Sequence, residues 1–118
     1  MEFIETSLFT EVLTGYLSDD EYRELQLYLA AHPEAGDVMP GTGGFRKLRW
    51  ADQRRRKGKR GGLRVIYYYL VADTLIWFFG LYDKDEAADL SARQKRLLKA
   101  AIQDETRERA GRRRTRRS

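Results

Sequence analysis

The chain opens on strict alternation and passes at once to a helical beat. "EFIET" sets apolar and polar residues in turn, the period-two pattern of a half-buried strand. From Ser7 the apolar positions Leu8, Phe9, Val12, Leu13 and Tyr16 recur at helical spacing, which predicts a helix that Gly15 weakens near its end. A second helix is expected over "SDDEYRELQLYLAAHP". Ser18 and Glu21 make a capping box there, Tyr22, Leu25, Tyr28 and Leu29 form the apolar stripe, and Pro33 stops the helix. "EAGDVMPGTGG" then reads as loop, punctuated by glycine and proline.

The middle of the chain returns to strand patterns. In "FRKLRWA", period two places Leu48 and Trp50 on one face and Phe45, Lys47 and Arg49 on the other. "GLRVIYYYLVA" and "DTLIWFFGLY" predict two more strands, joined by a tight turn at Ala72–Thr74. Both are apolar on both faces, as central strands are, so the Trp77–Phe79 cluster is expected in the core. "LSARQKRLLKAAI" predicts a closing helix with a capping box at Ser91 and Gln94 and a buried stripe of Leu97, Leu98, Ala101 and Ile102. "RERAGRRRTRRS" has almost nothing to bury. The expected organisation is one domain over residues 1–106 and a basic, disordered tail over 107–118. Together the elements imply an α+β fold: a mostly antiparallel twisted sheet with an N-terminal helical hairpin and a C-terminal helix.

Composition narrows the class. With 118 residues, 42% of them hydrophobic, the chain can build one core. It has no cysteine, so a disulfide framework is excluded. "MEFIETSLF" is acidic and lacks the apolar run of a signal peptide, and "VIYYYLVA" and "TLIWFFGLY" fall well short of the ~20 residues a spanning helix needs. The expectation is a cytoplasmic protein with no membrane partner.

Charge changes the picture more. Residues 1–45 hold nine acidic side chains against Arg23 alone, whereas residues 46–64 hold ten basic ones against Asp52. That segregation concentrates positive potential on one part of the molecule, the footprint of a polyanionic partner such as nucleic acid. Arg46, Arg54, Arg55, Arg56, Lys57, Lys59 and Arg60 read as phosphate-tracking groups, and Tyr68, sharing a face with Arg64, as a stacking platform or phenol.

Few groups are available for catalysis. His32, beside Pro33 at a helix end, is the one histidine and reads as structural; no His/Cys cluster suggests zinc, so neither a metal nor a cofactor is expected. "GTGG" lacks the GxxxxGK[ST] pattern of a nucleotide-binding loop. Lysine, arginine and tyrosine remain. Arginine suits a phosphorane because its fork matches two oxygens and stays charged, and a lysine among other cations can have its pKa lowered toward acid–base work. These residue types permit a nuclease without requiring one.

Three blocks, "GDVMPGTGGFRKLRW", "GKRGGLRVIYYYL" and "LYDKDEAADLS", together with the preceding helical hairpin, resemble the RelE/HigB family of toxins from type II toxin–antitoxin systems, the HigB-like branch above all. The resemblance covers roughly residues 1–103. It implies a metal-independent, ribosome-dependent mRNA endonuclease that uses the RNA 2′-OH as nucleophile, inhibits translation, and is neutralised by a cognate antitoxin of helix-turn-helix type. Operator DNA would be met only through that antitoxin. It also implies catalytic roles for Lys47, Arg49, Arg64 and Lys84. RelE-type members often carry a tyrosine shortly after the last of these, and residues 87–90 have none. Two other readings compete: a ParE-like gyrase inhibitor on the same fold, and a non-catalytic RNA-binding module.

Overall fold

The computed structural model describes residues 1–51, 62–85 and 90–117, with the side chains of the last helix described through Arg113. It is α+β. Strand β1 (Glu2–Glu5) leads into helices α1 (Ser7–Tyr16) and α2 (Asp19–Ala31). Then come β2 (Asp37–Val38), β3 (Arg46–Trp50), β4 (Leu63–Leu70), a 3₁₀ turn (Val71–Asp73), β5 (Leu75–Asp83) and α3 (Ala92–Arg117). The five strands form one sheet in the order β1-β5-β4-β3-β2. All neighbours are antiparallel except β1 and β5, which run parallel with Glu2 opposite Leu75.

Local chemistry sets these elements where the pattern places them. The Thr6 hydroxyl accepts from the Phe9 amide at 3.2 Å to cap α1. At α2 the capping box is complete: the Ser18 hydroxyl accepts from the Glu21 amide, and the Glu21 carboxylate accepts from the Ser18 amide at 2.9 Å. Ser91 and Gln94 repeat the motif before α3. Between β4 and β5 the chain turns through Thr74 at φ 50°, in the left-handed region.

The chain divides into two compact units. The larger comprises residues 1–38 and 45–88, the smaller 39–44 and 89–118. In the larger unit, α1 and α2 contribute Phe9, Leu17, Leu25 and Leu29 to a core closed by Leu48, Leu63, Val65, Tyr67, Ile76, Phe78 and Leu81 from the sheet. Phe78 lies at its centre, with the Phe9 ring stacked on it at 4.8 Å and the Phe3 and Tyr22 rings at 5.8 Å. Trp77 and Phe79 are not in this core. They sit half-buried on the opposite face of the sheet, packed edge-on against each other at 4.4 Å. In the smaller unit α3 lies on the glycine-rich loop. A Cβ on Gly43, whose φ is 79°, would stand 3.2 Å from Ile102 and Lys99, so both conformation and space require glycine there.

Three further expectations differ. Asp37 and Val38, read as loop, form β2 by pairing with Lys47 and Arg46. The α3 stripe is narrower than its pattern: Ile102 is 2% exposed, but Leu97 is 61% exposed and Ala101 also faces out. The segment expected as a disordered tail is helical through Arg117. Arginine is a strong helix former, and Arg107–Asp104, Arg109–Glu105 and Arg112–Glu105 pairs lie along this stretch, the second at 2.8 Å.

Candidate nucleic-acid interface and active site

The face of the sheet turned away from α1 and α2 is where the basic residues gather. β3 turns Leu48 and Trp50 to the core, which leaves Lys47 and Arg49 on the far side. β4 turns Leu63, Val65 and Tyr67 inward and Arg64, Ile66 and Tyr68 outward. The register then brings the charges together. Arg49 is the cross-strand partner of Arg64, and Lys47, partnered with Ile66, is the diagonal neighbour of Arg64. Directly opposed residues have Cβ atoms ~4.5–5.5 Å apart and diagonal ones about 7–8 Å, so three cations from two strands can reach one phosphate group.

β5 completes the row. Its register slips by one residue between the Ile66–Gly80 and Tyr67–Phe78 pairs, a bulge that gives β5 one residue more than β4. Phe78 and Leu81 therefore both face the core, three apart instead of two or four, and Tyr82 emerges on the basic face. It is the Cα partner of Arg64, so Arg49, Arg64 and Tyr82 run across three adjacent strands. Tyr82 was not among the expected site residues. Simple alternation from Trp77 assigns it to the wrong face, and only the bulge corrects this.

Lys84 follows two residues later. Its amide donates to the Gly62 carbonyl at 2.9 Å, which extends the β4–β5 pairing past the end of β5, and its side chain is exposed. The buried Asp83 accepts the Asp85 amide at 2.7 Å and bends the chain immediately afterwards.

The other expected residues stand elsewhere. Tyr68 shares the face of Arg64 but lies four residues along β4, about 13 Å away, with its ring edge-on to Phe45 at 5.2 Å. Arg46 is on the opposite face of β3 from Lys47, and its guanidinium donates to the carbonyls of Glu34 at 3.1 Å and Gly36 at 2.8 Å. It thereby holds the chain entering β2. Tyr67 does the same from β4: its hydroxyl accepts from the Gly36 amide and donates to the Pro33 carbonyl, both at 2.9 Å. Burial pushes the Tyr67 phenol above its ordinary pKa. Gly36 has no room for a side chain, since a Cβ would meet Tyr67, Arg46 and Lys47 at 3.0–3.1 Å. Arg54, Arg55, Arg56, Lys57, Lys59 and Arg60 lie outside the described residues.

At the edge of β3 a cleft of about 370 Å³ opens toward α2, lined by Arg49 and Trp50 on one side and by Glu21, Glu24 and Tyr28 on the other. Arg49 thus stands between the cationic face and the acidic helix. Among the described residues no group of three or more acidic or histidine side chains is placed to hold a metal ion, and no helix is long and apolar enough to cross a membrane. A scan against protein-family models matches none of them to this chain.

Proposed function

We propose that the protein is the toxin of a type II toxin–antitoxin module, an endoribonuclease that cuts mRNA in the ribosomal A site and is held in check by a cognate antitoxin. The observation that carries this reading is the cross-strand cluster of Lys47, Arg49 and Arg64, with Lys84 at the end of the neighbouring strand. It supports the role the sequence resemblance implies for these four residues. A rigid sheet is the right support, because side chains on strands hold their geometry better than those on loops.

In this reading the substrate is a phosphodiester whose own 2′-OH attacks the adjacent phosphorus. Arg49 and Arg64 bind the non-bridging oxygens and stabilise the additional charge of the phosphorane. A lysine ammonium, Lys47 or Lys84, protonates the departing 5′-oxygen. The products are a 2′,3′-cyclic phosphate and a 5′-hydroxyl end. Glu21 and Glu24 repel phosphates from the α2 side of β3, which directs the RNA along the basic face.

The test is primer extension on ribosomes stalled with an empty A site on a defined mRNA, with wild type and Lys84→Ala side by side. A-site cuts by wild type alone support the nuclease and a role for Lys84. Cuts by both keep the nuclease and remove Lys84 from its machinery. No cuts by either, in a protein that is toxic to cells, overturn the proposal and favour inhibition of gyrase.

A further inference from the structure

The side of α2 that meets the edge of β3 is acidic and aromatic. Tyr28, 40% exposed, packs on Trp50 at 5.5 Å and on His32 at 5.1 Å, so three rings follow one another from β3 to the end of α2. Two hollows share Tyr28. The cleft of about 370 Å³ runs past Glu21, Glu24 and Trp50, and a second, of about 440 Å³, runs past His32, Pro33 and Glu34. Together they follow α2 from Glu21 to its cap at His32, a length of about 16 Å at the helical rise.

The acids of this groove are unanswered. Among the described residues no basic side chain pairs with Glu21, Glu24 or Glu34. Glu21 is fixed in place, because its Oε1 accepts from the Ser18 amide at 2.9 Å. Its Oε2 is buried without a hydrogen-bond partner, a cost that a donor entering the groove would offset. The arginines of the adjoining strand are directed elsewhere. Arg49 meets the cleft from the alternate side of β3 to Trp50, and Arg46 donates to the Glu34 and Gly36 carbonyls.

We propose that this groove binds an extended, arginine-bearing segment of a partner protein, the guanidinium groups lying on Trp50 and Tyr28 and donating to Glu21 and Glu24. Arginine suits both walls, since its planar fork stacks on aromatic rings and carries several donors for carboxylates. With acids at both ends, the groove is longer than one small cation needs. An extended chain spans 16 Å with about five residues and turns alternate side chains the same way, so arginines two apart share the groove. This site is separate from the basic face of the sheet and does not depend on the nuclease reading.

The test is nuclear magnetic resonance of the isotope-labelled full chain, titrated with the peptide acetyl-Arg-Ser-Arg-Ser-Arg-amide. A matched peptide carries citrulline, which keeps the shape of arginine without its charge. The arginine peptide should shift the Trp50 indole and the Tyr28 and Glu24 signals saturably, and the citrulline peptide should bind about tenfold more weakly or not at all. Glu21→Gln with Glu24→Gln, which keeps a side chain competent for the capping box, should weaken the arginine peptide about fivefold or more. Glu24→Gln alone, at an exposed position, should weaken it in the same direction and leaves the cap untouched. Equal affinity for the two peptides, unchanged affinity in the Glu24 variant, or shifts centred away from Trp50 and Tyr28 would overturn the proposal. Free arginine binding as tightly as the peptide would reduce the groove to a small-cation site and overturn the extended segment. Shifts of the same signals on diluting the peptide-free protein would assign the groove to a second copy of the chain and overturn the partner.

Discussion

Arg49 and Arg64 stand directly opposite each other on β3 and β4, two guanidinium groups on one face of the sheet. Like charges in opposed cross-strand positions work against pairing by roughly 0.2–1 kcal/mol. A fold selected for stability alone has no reason to set them there. Replacing Arg49 with threonine, a good strand former, should raise the stability measured by urea unfolding by a few tenths to about 1 kcal/mol. The gain should shrink as salt screens the repulsion in the parent. On the proposed nuclease reading, the same substitution should abolish A-site cutting. A variant that is less stable and fully active would show that the opposed pair is structural support.

Tyr67 links the chain after α2 to the central strand, and its removal has a sign that pH can reveal. Tyr67→Phe leaves the buried Gly36 amide without its acceptor, which should cost about 1–3 kcal/mol in denaturant unfolding. Burial raises the folded-state pKa of Tyr67, and burial together with the Glu5 carboxylate raises that of Tyr22. The neutral phenol is therefore favoured by folding. Its contribution is fully present below the unfolded value of about 10 and is lost as pH rises from there toward the folded value. Wild type should accordingly lose stability above about pH 10, by up to about 1.4 kcal/mol per pH unit for each such phenol. Tyr22→Phe and Tyr67→Phe should each flatten that decline. An unaltered alkaline slope in both variants would assign it to other groups.

Most of the scaffold was legible because its signals are local. Ser18–Glu21 and Ser91–Gln94 are caps that three-residue spacing announces, and the faces of β3 follow from Leu48 and Trp50 alone. What the pattern missed depends on contacts distant in sequence. β2 is only two residues long and exists because Arg46 and Tyr67 bind the carbonyls and amide that lead into it. Tyr82 reaches the basic face through a bulge, and an extra residue in "IWFFGLY" cannot be seen until β5 is paired with β4. Lys47, Arg49 and Arg64 were legible as types, whereas their meeting in one row is a property of register.

The helical end of the chain separates folding from binding. Residues 107–118 contain seven arginines and one glutamate, and α3 runs through Arg117, well beyond Ile102, the residue it buries. The cap at Ser91 and the contact of Gly43 with Ile102 and Lys99 both lie upstream, so the helix keeps its start and its packing when the end is removed. The Arg107–Asp104, Arg109–Glu105 and Arg112–Glu105 pairs would be lost, and the first two, at helical i,i+3 and i,i+4 spacing, contribute about 0.2–0.5 kcal/mol each. A chain ending at Thr106 should therefore unfold cooperatively with a midpoint close to that of the full chain, while its helical circular dichroism falls. Its affinity for single-stranded RNA should depend less on salt, the logarithmic slope easing by about 0.7 for each phosphate contact removed. On the proposed nuclease reading, the cutting position on the ribosome should not move, because the row of Arg49, Arg64 and Tyr82 is untouched. Loss of cooperative unfolding would make the end of α3 part of the fold, and an unchanged salt slope would remove its arginines from the RNA path.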